Sequence, residues 1–168
     1  MFIIFLSMAQ KNYIFKYIFF FIIIFYPHSI YSKTIIGKAI IVDGDTLKIG
    51  INKIRLHGID SPELEQKCLI KEKEWNCGKK AAESLFNLAN LKEITCESNN
   101  KDRYNRYIAI CYINALNINK WMVKNGWAIA YRYYSLDYIN DEEIAKMNKS
   151  GIWQGKFTDP FIFRKNNR

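Results

Sequence analysis

Short β-branched runs, one stretch of helical periodicity and polar breaks alternate along this chain. Residues 35–42 (Ile-Ile-Gly-Lys-Ala-Ile-Ile-Val) are apolar and β-branched and predict a strand. Asp43-Gly44 is a turn signal, residues 46–49 alternate, and residues 54–59 follow a second turn at 50–53. Three such runs with tight turns predict a meander. Residues 64–78 are polar and predict a loop. From Lys79 to Asn90 the period changes: Ala81, Ala82, Leu85, Phe86 and Ala89 share one helical face, and Asn90 can end it. Residues 93–96 and 107–113 predict strands four and five, joined by the hydrophilic connection 98–105. Asn117 can cap a short helix with Ile118, Met122 and Val123 inward and Gly126 as its stop. Residues 127–134 are aromatic and read as extended. Asn140 opens a third helix, with Asp141, Glu142 and Glu143 in its first turn and Lys146 and Lys149 in its last, an order that suits the helix dipole. The tail 152–168 is expected to pack only in part, with Arg164, Lys165 and Arg168 in a solvated end. The expected fold class is α+β, one domain of five strands with about three helices.

The first 32 of the 168 residues stand apart from this pattern. Lys11 and Lys16 are their only charged lysines or acids, and an apolar run follows at 17–26 before Ser29 and Ser32. A basic start, an apolar run and small polar residues predict a secretory signal, with cleavage after Ser32. The apolar run is shorter than the about 20 residues that a membrane-spanning helix needs. The expectation is therefore a secreted or periplasmic mature chain, 33–168, with no stable membrane association. An uncleaved anchor carrying an interaction protein is the alternative. Removing residues 1–32 takes away two lysines and no acid, leaving 23 basic and 16 acidic residues and a formal charge of +7. A small basic domain attracts polyanions by long-range steering, which excludes no enzyme class.

Cys68, Cys77, Cys96 and Cys111 are an even set behind a signal, which suggests two disulfides. Three pairings are possible. Cys68–Cys77 and Cys96–Cys111 are favoured, because each pair is close in sequence and brackets a loop or hairpin. No Cys-x-x-Cys spacing exists, and His57 is the one histidine in 33–168, so a Cys/His zinc site is not expected. Nothing resembles Gly-x-Ser-x-Gly, and His57 reads as a strand residue without catalytic duty.

The chemistry is concentrated in three runs: Asp43-Gly44-Asp45-Thr46, Arg55-Leu56-His57-Gly58-Ile59-Asp60-Ser61-Pro62-Glu63 and Asp102-Arg103-Tyr104-Asn105-Arg106. Carboxylates suit a hard divalent cation, and arginines suit a phosphate. A site holding both is what phosphodiester hydrolysis requires. Taken singly, each run reads more readily as a turn or a solvated loop than as a site. Strand periodicity does not put Arg55 and Asp60, five residues apart, on one face.

In order, these runs resemble the staphylococcal nuclease-like (thermonuclease) family. The similarity continues through Gly126-Trp127-Ala128, Ala130-Tyr131-Arg132-Tyr133 and Gly151-Ile152-Trp153, so it covers roughly residues 36–155. The resemblance implies a five-stranded OB-type β-barrel with three helices, an architecture that commonly binds nucleic acid on one face. It also implies a calcium-dependent nuclease of DNA and RNA that leaves 3′-phosphate ends. By position, Asp45, Asp60 and the Ser61 carbonyl would hold Ca²⁺, with Asp43 supporting them from behind. Glu63 would be the general base on the attacking water. Arg55 and Arg106 would grip the phosphate, and Tyr131 and Tyr133 would line the nucleotide pocket. Asn105 stands where the family often has Gly, and Asn tolerates positive φ. Ser61 replaces a common threonine, which a backbone ligand tolerates. The competing reading is a non-catalytic nucleic-acid-binding OB module, although such a module should lack the metal carboxylates. A monomer is expected.

Overall fold

The computed structural model describes residues 32–167. The expected signal falls outside the described residues apart from Ser32, as does Arg168. Among the described residues, no helix is long and apolar enough to cross a membrane.

The expected meander is present as β1 (Lys33–Ile41), β2 (Thr46–Ile49) and β3 (Asn52–Leu56). The predicted third strand does not continue to Ile59. It breaks at Gly58, whose φ is +71°, and a separate two-residue strand β4 (Ile59–Asp60) leaves the sheet. The segment 64–78, expected as a loop, contains the hairpin β5 (Cys68–Ile70) and β6 (Lys73–Trp75). Its turn places Lys71 and Glu72 at φ 47° and 63°. Two positive φ values suit such a tight hairpin turn, but Lys-Glu lacks the Asn-Gly or Asp-Gly signature that would announce it.

Helix α1 (Cys77–Ala89) follows, starting two residues earlier than expected and ending at Asn90. It buries Ala81, Leu85 and Ala89, while Phe86 on the expected face is half exposed. Strands β7 (Glu93–Lys101) and β8 (Tyr107–Ile113) form a long antiparallel hairpin, and β9 (Leu116–Asn117) adds to β8. Helix α2 (Ile118–Lys124) is capped by Asn117, whose side chain accepts from the Lys120 N–H at 2.9 Å. Its buried residues include Ile118, Met122 and Val123, as its pattern requires.

Of residues 127–134, only β10 (Ile129–Ala130) is extended. The aromatics after it turn back, with the Tyr134 and Ser135 N–H groups donating to the Tyr131 carbonyl at 3.0 and 3.2 Å. Helix α3 (Ile139–Met147), a 3₁₀ turn (Gly151–Gln154) and helix α4 (Pro160–Asn166) complete the chain. The tail is thus more ordered than its composition suggests. Asp159 caps α4 by accepting from the Phe161 and Ile162 N–H groups, and Pro160 takes a first-turn position.

The large sheet runs β3-β2-β1-β7-β8-β9, and parallel pairing of β3 with β8 closes its first five strands into a barrel. Closure depends on β1 bending between two partners: residues 33–38 pair with β7 and residues 39–41 with β2. Leu47, Ile54, Leu56, Ile94, Cys96, Ala109 and Cys111 belong to the main buried cluster, which Leu85 of α1 and Met122 of α2 also join. Each such large aliphatic side chain contributes about 1.5–3 kcal/mol by leaving water. Both expected disulfides form. Cys96 and Cys111 are registered partners across β7 and β8, and Cys68–Cys77 joins β5 to the start of α1.

Candidate active site

The break at Gly58 solves the problem that strand periodicity left open. Arg55 on β3 reaches past the turn: its Nη2 donates to Asp60 Oδ1 at 2.8 Å and to the Ile59 carbonyl at 3.1 Å. Its Nη1 is ion-paired with Asp45 Oδ1. One guanidinium therefore lies between the two carboxylates assigned to the cation. The turn itself is held by Asn119 of α2, a buried side chain that donates to the His57 and Ala109 carbonyls and accepts from the Cys111 N–H.

Asp45 arrives from the β1–β2 turn. Its Oδ2 accepts from the Ser61 backbone N–H at 2.8 Å, which joins the first acidic run to the second. Gly44 permits this approach, because a Cβ there would lie 1.9 Å from Ser61 Oγ. Asp43 supports the turn by accepting from the Asp45 N–H. Burial pushes its carboxyl up, against the charge of Arg55 and a hydrogen bond from Thr46. Burial likewise pushes the Arg55 guanidinium down while the Asp60 charge opposes it. Arginine stays charged in either case.

Glu63 follows Asp60 by one turn of irregular chain. Gln66 fixes this segment, accepting from the Glu63 N–H at 3.2 Å and donating to the Thr158 carbonyl at 2.6 Å. Gly78 of α1 packs on the Glu63 carbonyl so closely that a Cβ would lie 1.7 Å from it.

Arg106 sits in the connection just before β8, which pairs with β3 so that Tyr107 faces Ile54 and Ile108 faces Arg55. Its Nε donates to Asp102 Oδ2 at 2.7 Å, and its backbone N–H donates to Asp102 Oδ1. The terminal nitrogens carry the N–H groups that can fork onto a phosphate. Burial works to raise the Asp102 carboxyl, but the Arg106 and Tyr104 donors outweigh it and hold it below the usual carboxylate range. Asn105 adopts φ 62°, the left-handed conformation its position calls for.

Tyr131 borders the acidic cluster. Burial pushes its hydroxyl pKa up, and the Asp60 charge adds to the shift. Tyr133 is 82 % exposed and leans on Tyr131 and Tyr134, with ring centroids 6.4 and 4.9 Å away. Two exposed tyrosines, Tyr133 and Tyr134, packed on the half-buried Tyr131 beside carboxylates and arginines can stack bases.

The family described as Staphylococcal nuclease homologue matches residues 53–155. The chain belongs to that family. A succinoglycan biosynthesis protein, ExoI, of Rhizobium meliloti is 31 % identical over 129 residues, which cover 74 % of this chain and 68 % of that protein. An uncharacterized endonuclease of Haemophilus influenzae is 37 % identical over 120 residues, covering 67 % of this chain and 62 % of its own length. A micrococcal nuclease of Shigella flexneri is 30 % identical over 130 residues, covering 67 % of this chain and 70 % of its own length. The staphylococcal nuclease family model thus spans β3 to the 3₁₀ turn and takes in Arg55, Asp60, Ser61, Glu63, Arg106, Tyr131 and Tyr133. Asp43 and Asp45 lie just before it, and their place in the site comes from the geometry.

One site residue lies beyond the family match. Arg164, expected in a solvated end, turns inward. It donates from Nη1 to Asp60 Oδ1 and Glu63 Oε1, each at 2.9 Å, and from Nη2 to Asp60 Oδ2 at 2.8 Å. Its pKa rises because the Asp60 and Glu63 contacts overcome the effect of burial. The Asp159-Pro160 pair is a readable helix start, but where the helix lands is a tertiary matter. Lys165 remains exposed, as expected.

Proposed function

We propose that this protein is a secreted or periplasmic, calcium-dependent phosphodiesterase that cuts DNA and RNA and leaves 3′-phosphate ends. Residues 1–32 are the signal and residues 33–168 the mature domain. The observation that carries the reading is the convergence of Asp45 and Asp60 on the Arg55 guanidinium, with the Ser61 N–H tying Asp45 to the second acidic run and Arg164 joining Glu63 to Asp60. Family membership and relatives named as nucleases support it. The two disulfides support an oxidising compartment.

The residues present fit a hard divalent cation. Among the described residues, no cluster of three or more His, Cys, Asp or Glu side chains is arranged to hold a metal. Two carboxylates and a carbonyl, which water would complete, form an oxygen set that suits calcium rather than zinc. Both Asp60 oxygens already accept from arginines, so this carboxylate attracts positive charge. Asp45, Asp60 and the Ser61 carbonyl are the ligands in this reading. The ion would supply charge neutralisation at the phosphoryl oxygens.

The protein's own groups do the rest. Glu63, on a segment fixed by Gln66 and Gly78, takes the proton of the attacking water. Arg106, oriented by Asp102, forks onto the phosphate, and Arg55 joins it as negative charge grows on the equatorial oxygens. Tyr131 and Tyr133 stack the adjoining nucleotide, and the chain acts as a monomer. The test is cleavage of single-stranded DNA with calcium and with chelator, beside Glu63→Ala. Calcium-dependent cleavage lost in the variant supports the reading. Binding without cleavage by the folded, oxidised wild type would favour the non-catalytic OB module.

A further inference from the structure

Arg164 occupies the ground that the proposed site needs. Asp60 is fully buried, and both of its oxygens accept from arginine: Oδ1 from Arg55 and Arg164, Oδ2 from Arg164. The same guanidinium holds Glu63. A carboxylate oxygen that coordinates calcium lies about 2.3–2.6 Å from the ion. Such an ion and a guanidinium donating to both oxygens of the same carboxylate would bring like charges together in a poorly hydrated place. The two states compete for Asp60, and Arg55, which bridges Asp45 and Asp60, stays in place in both.

The element that delivers Arg164 is built to release it. α4 has only seven residues, too few to be stable as an isolated helix. Its base is anchored, through buried Pro160 and the Gln66–Thr158 hydrogen bond. Beyond the base, Phe161 and Ile162 are about half exposed and Phe163 is only partly buried, so limited apolar burial holds the helix down. An open depression of about 260 Å³, lined by Glu63, Phe163, Arg164 and Asn167, lies beneath its far end. The pairing with Asp60 and Glu63 is the principal polar tie between this far end and the barrel.

We infer that α4 is a latch: Arg164 serves as an internal counter-ion for Asp60 and Glu63, and a divalent cation must displace it to load the site. The inference rests on the proposed cation site. It implies that Arg164 lowers the apparent calcium affinity and keeps the base paired until the cation arrives.

The test measures calcium binding to the whole oxidised protein by titration calorimetry without substrate, for wild type, Arg164→Gln, Arg164→Lys and Asp60→Asn. Amide hydrogen exchange over 161–167 is followed with and without calcium. The latch predicts that Arg164→Gln binds calcium roughly tenfold tighter or more, because charge-assisted contacts no longer compete. Arg164→Lys falls between, since an ammonium cannot span both Asp60 oxygens. Calcium should speed exchange in α4 of the wild type. Equal or weaker binding by a folded Arg164→Gln, with Asp60→Asn binding poorly, would overturn the latch and leave the site standing. Undiminished calcium binding by Asp60→Asn would overturn the site and the latch with it.

Discussion

Glu142 offers the sharpest quantitative test of how the fold holds the site. It was legible in sequence only as a first-turn acid, yet it is 1 % exposed. Its Oε1 accepts from the Ala130 N–H at 2.9 Å and from Arg132, and its Oε2 accepts from Arg132 at 2.6 Å and pairs with Lys146 at 2.9 Å. Ala130 pairs with Ile59, next to Asp60, so Glu142 pins the two-stranded β4–β10 ribbon that carries a carboxylate of the proposed site. Glu142→Ala orphans a buried amide, at a cost of about 1–3 kcal/mol. The side chains of Arg132 and Lys146 are 45 % and 34 % exposed. They rehydrate, so each lost ion pair adds only about 0–1 kcal/mol. The total is about 3 kcal/mol, or roughly 10 °C in Tm for a domain of this size. Glu142→Gln keeps an acceptor for Ala130 and should lose only about 1 kcal/mol. Burial works to raise the Glu142 carboxyl, but Arg132, Lys146 and the Ala130 N–H together depress it. A depressed folded pKa gives stability that is fully present above the unfolded value of about 4.3 and lost as pH falls through the folded value. The Tm gap between wild type and Glu142→Gln should therefore hold near neutrality and close below about pH 4. Thermal unfolding of the oxidised proteins followed by circular dichroism reads both effects. Equal losses for Ala and Gln, or a gap that persists unchanged in acid, would refute the account.

Three further outcomes follow from the geometry. Glu63→Gln and Arg106→Ala should each lower the cleavage rate by about 10²-fold or more while circular dichroism stays native, and unchanged turnover would contradict the assigned roles. Replacing Cys96 and Cys111 by alanine opens a loop of sequence separation 15 and should cost about 3 kcal/mol in urea unfolding. A wild-type midpoint would show that the strand pairing alone suffices. Gly78→Ala would drive a Cβ to 1.7 Å from the Glu63 carbonyl. It should destabilise the fold by about 1–3 kcal/mol and depress cleavage through the displaced Glu63 segment, and normal values for both would refute the close approach.

Much was written locally. β-Branched runs and turn signals located the five barrel strands, and one 3.6-residue period, one Asn cap and one dipole-matched charge order located the first three helices, because each rests on local backbone or side-chain demands. The Asn117 cap and the Asn90 stop were also local, since each depends on the backbone groups of its own turn, whereas the left-handed Asn105 followed from the family resemblance. The β5–β6 hairpin escaped notice because Lys71-Glu72 takes positive φ without a turn residue, under the constraint of its paired strands and the Cys68–Cys77 bond. The acidic and basic runs named the site's chemistry, but not its assembly. Asp45 meets Ser61 across 16 residues, and Arg164 meets Asp60 across 104. Those meetings depend on barrel closure and on the bend at Gly58, which no local pattern encodes. Buried charge also demands a partner wherever the fold can provide one. For that reason tertiary structure alone decided that Glu142 braces the ribbon beside Asp60 and that a tail arginine enters the site.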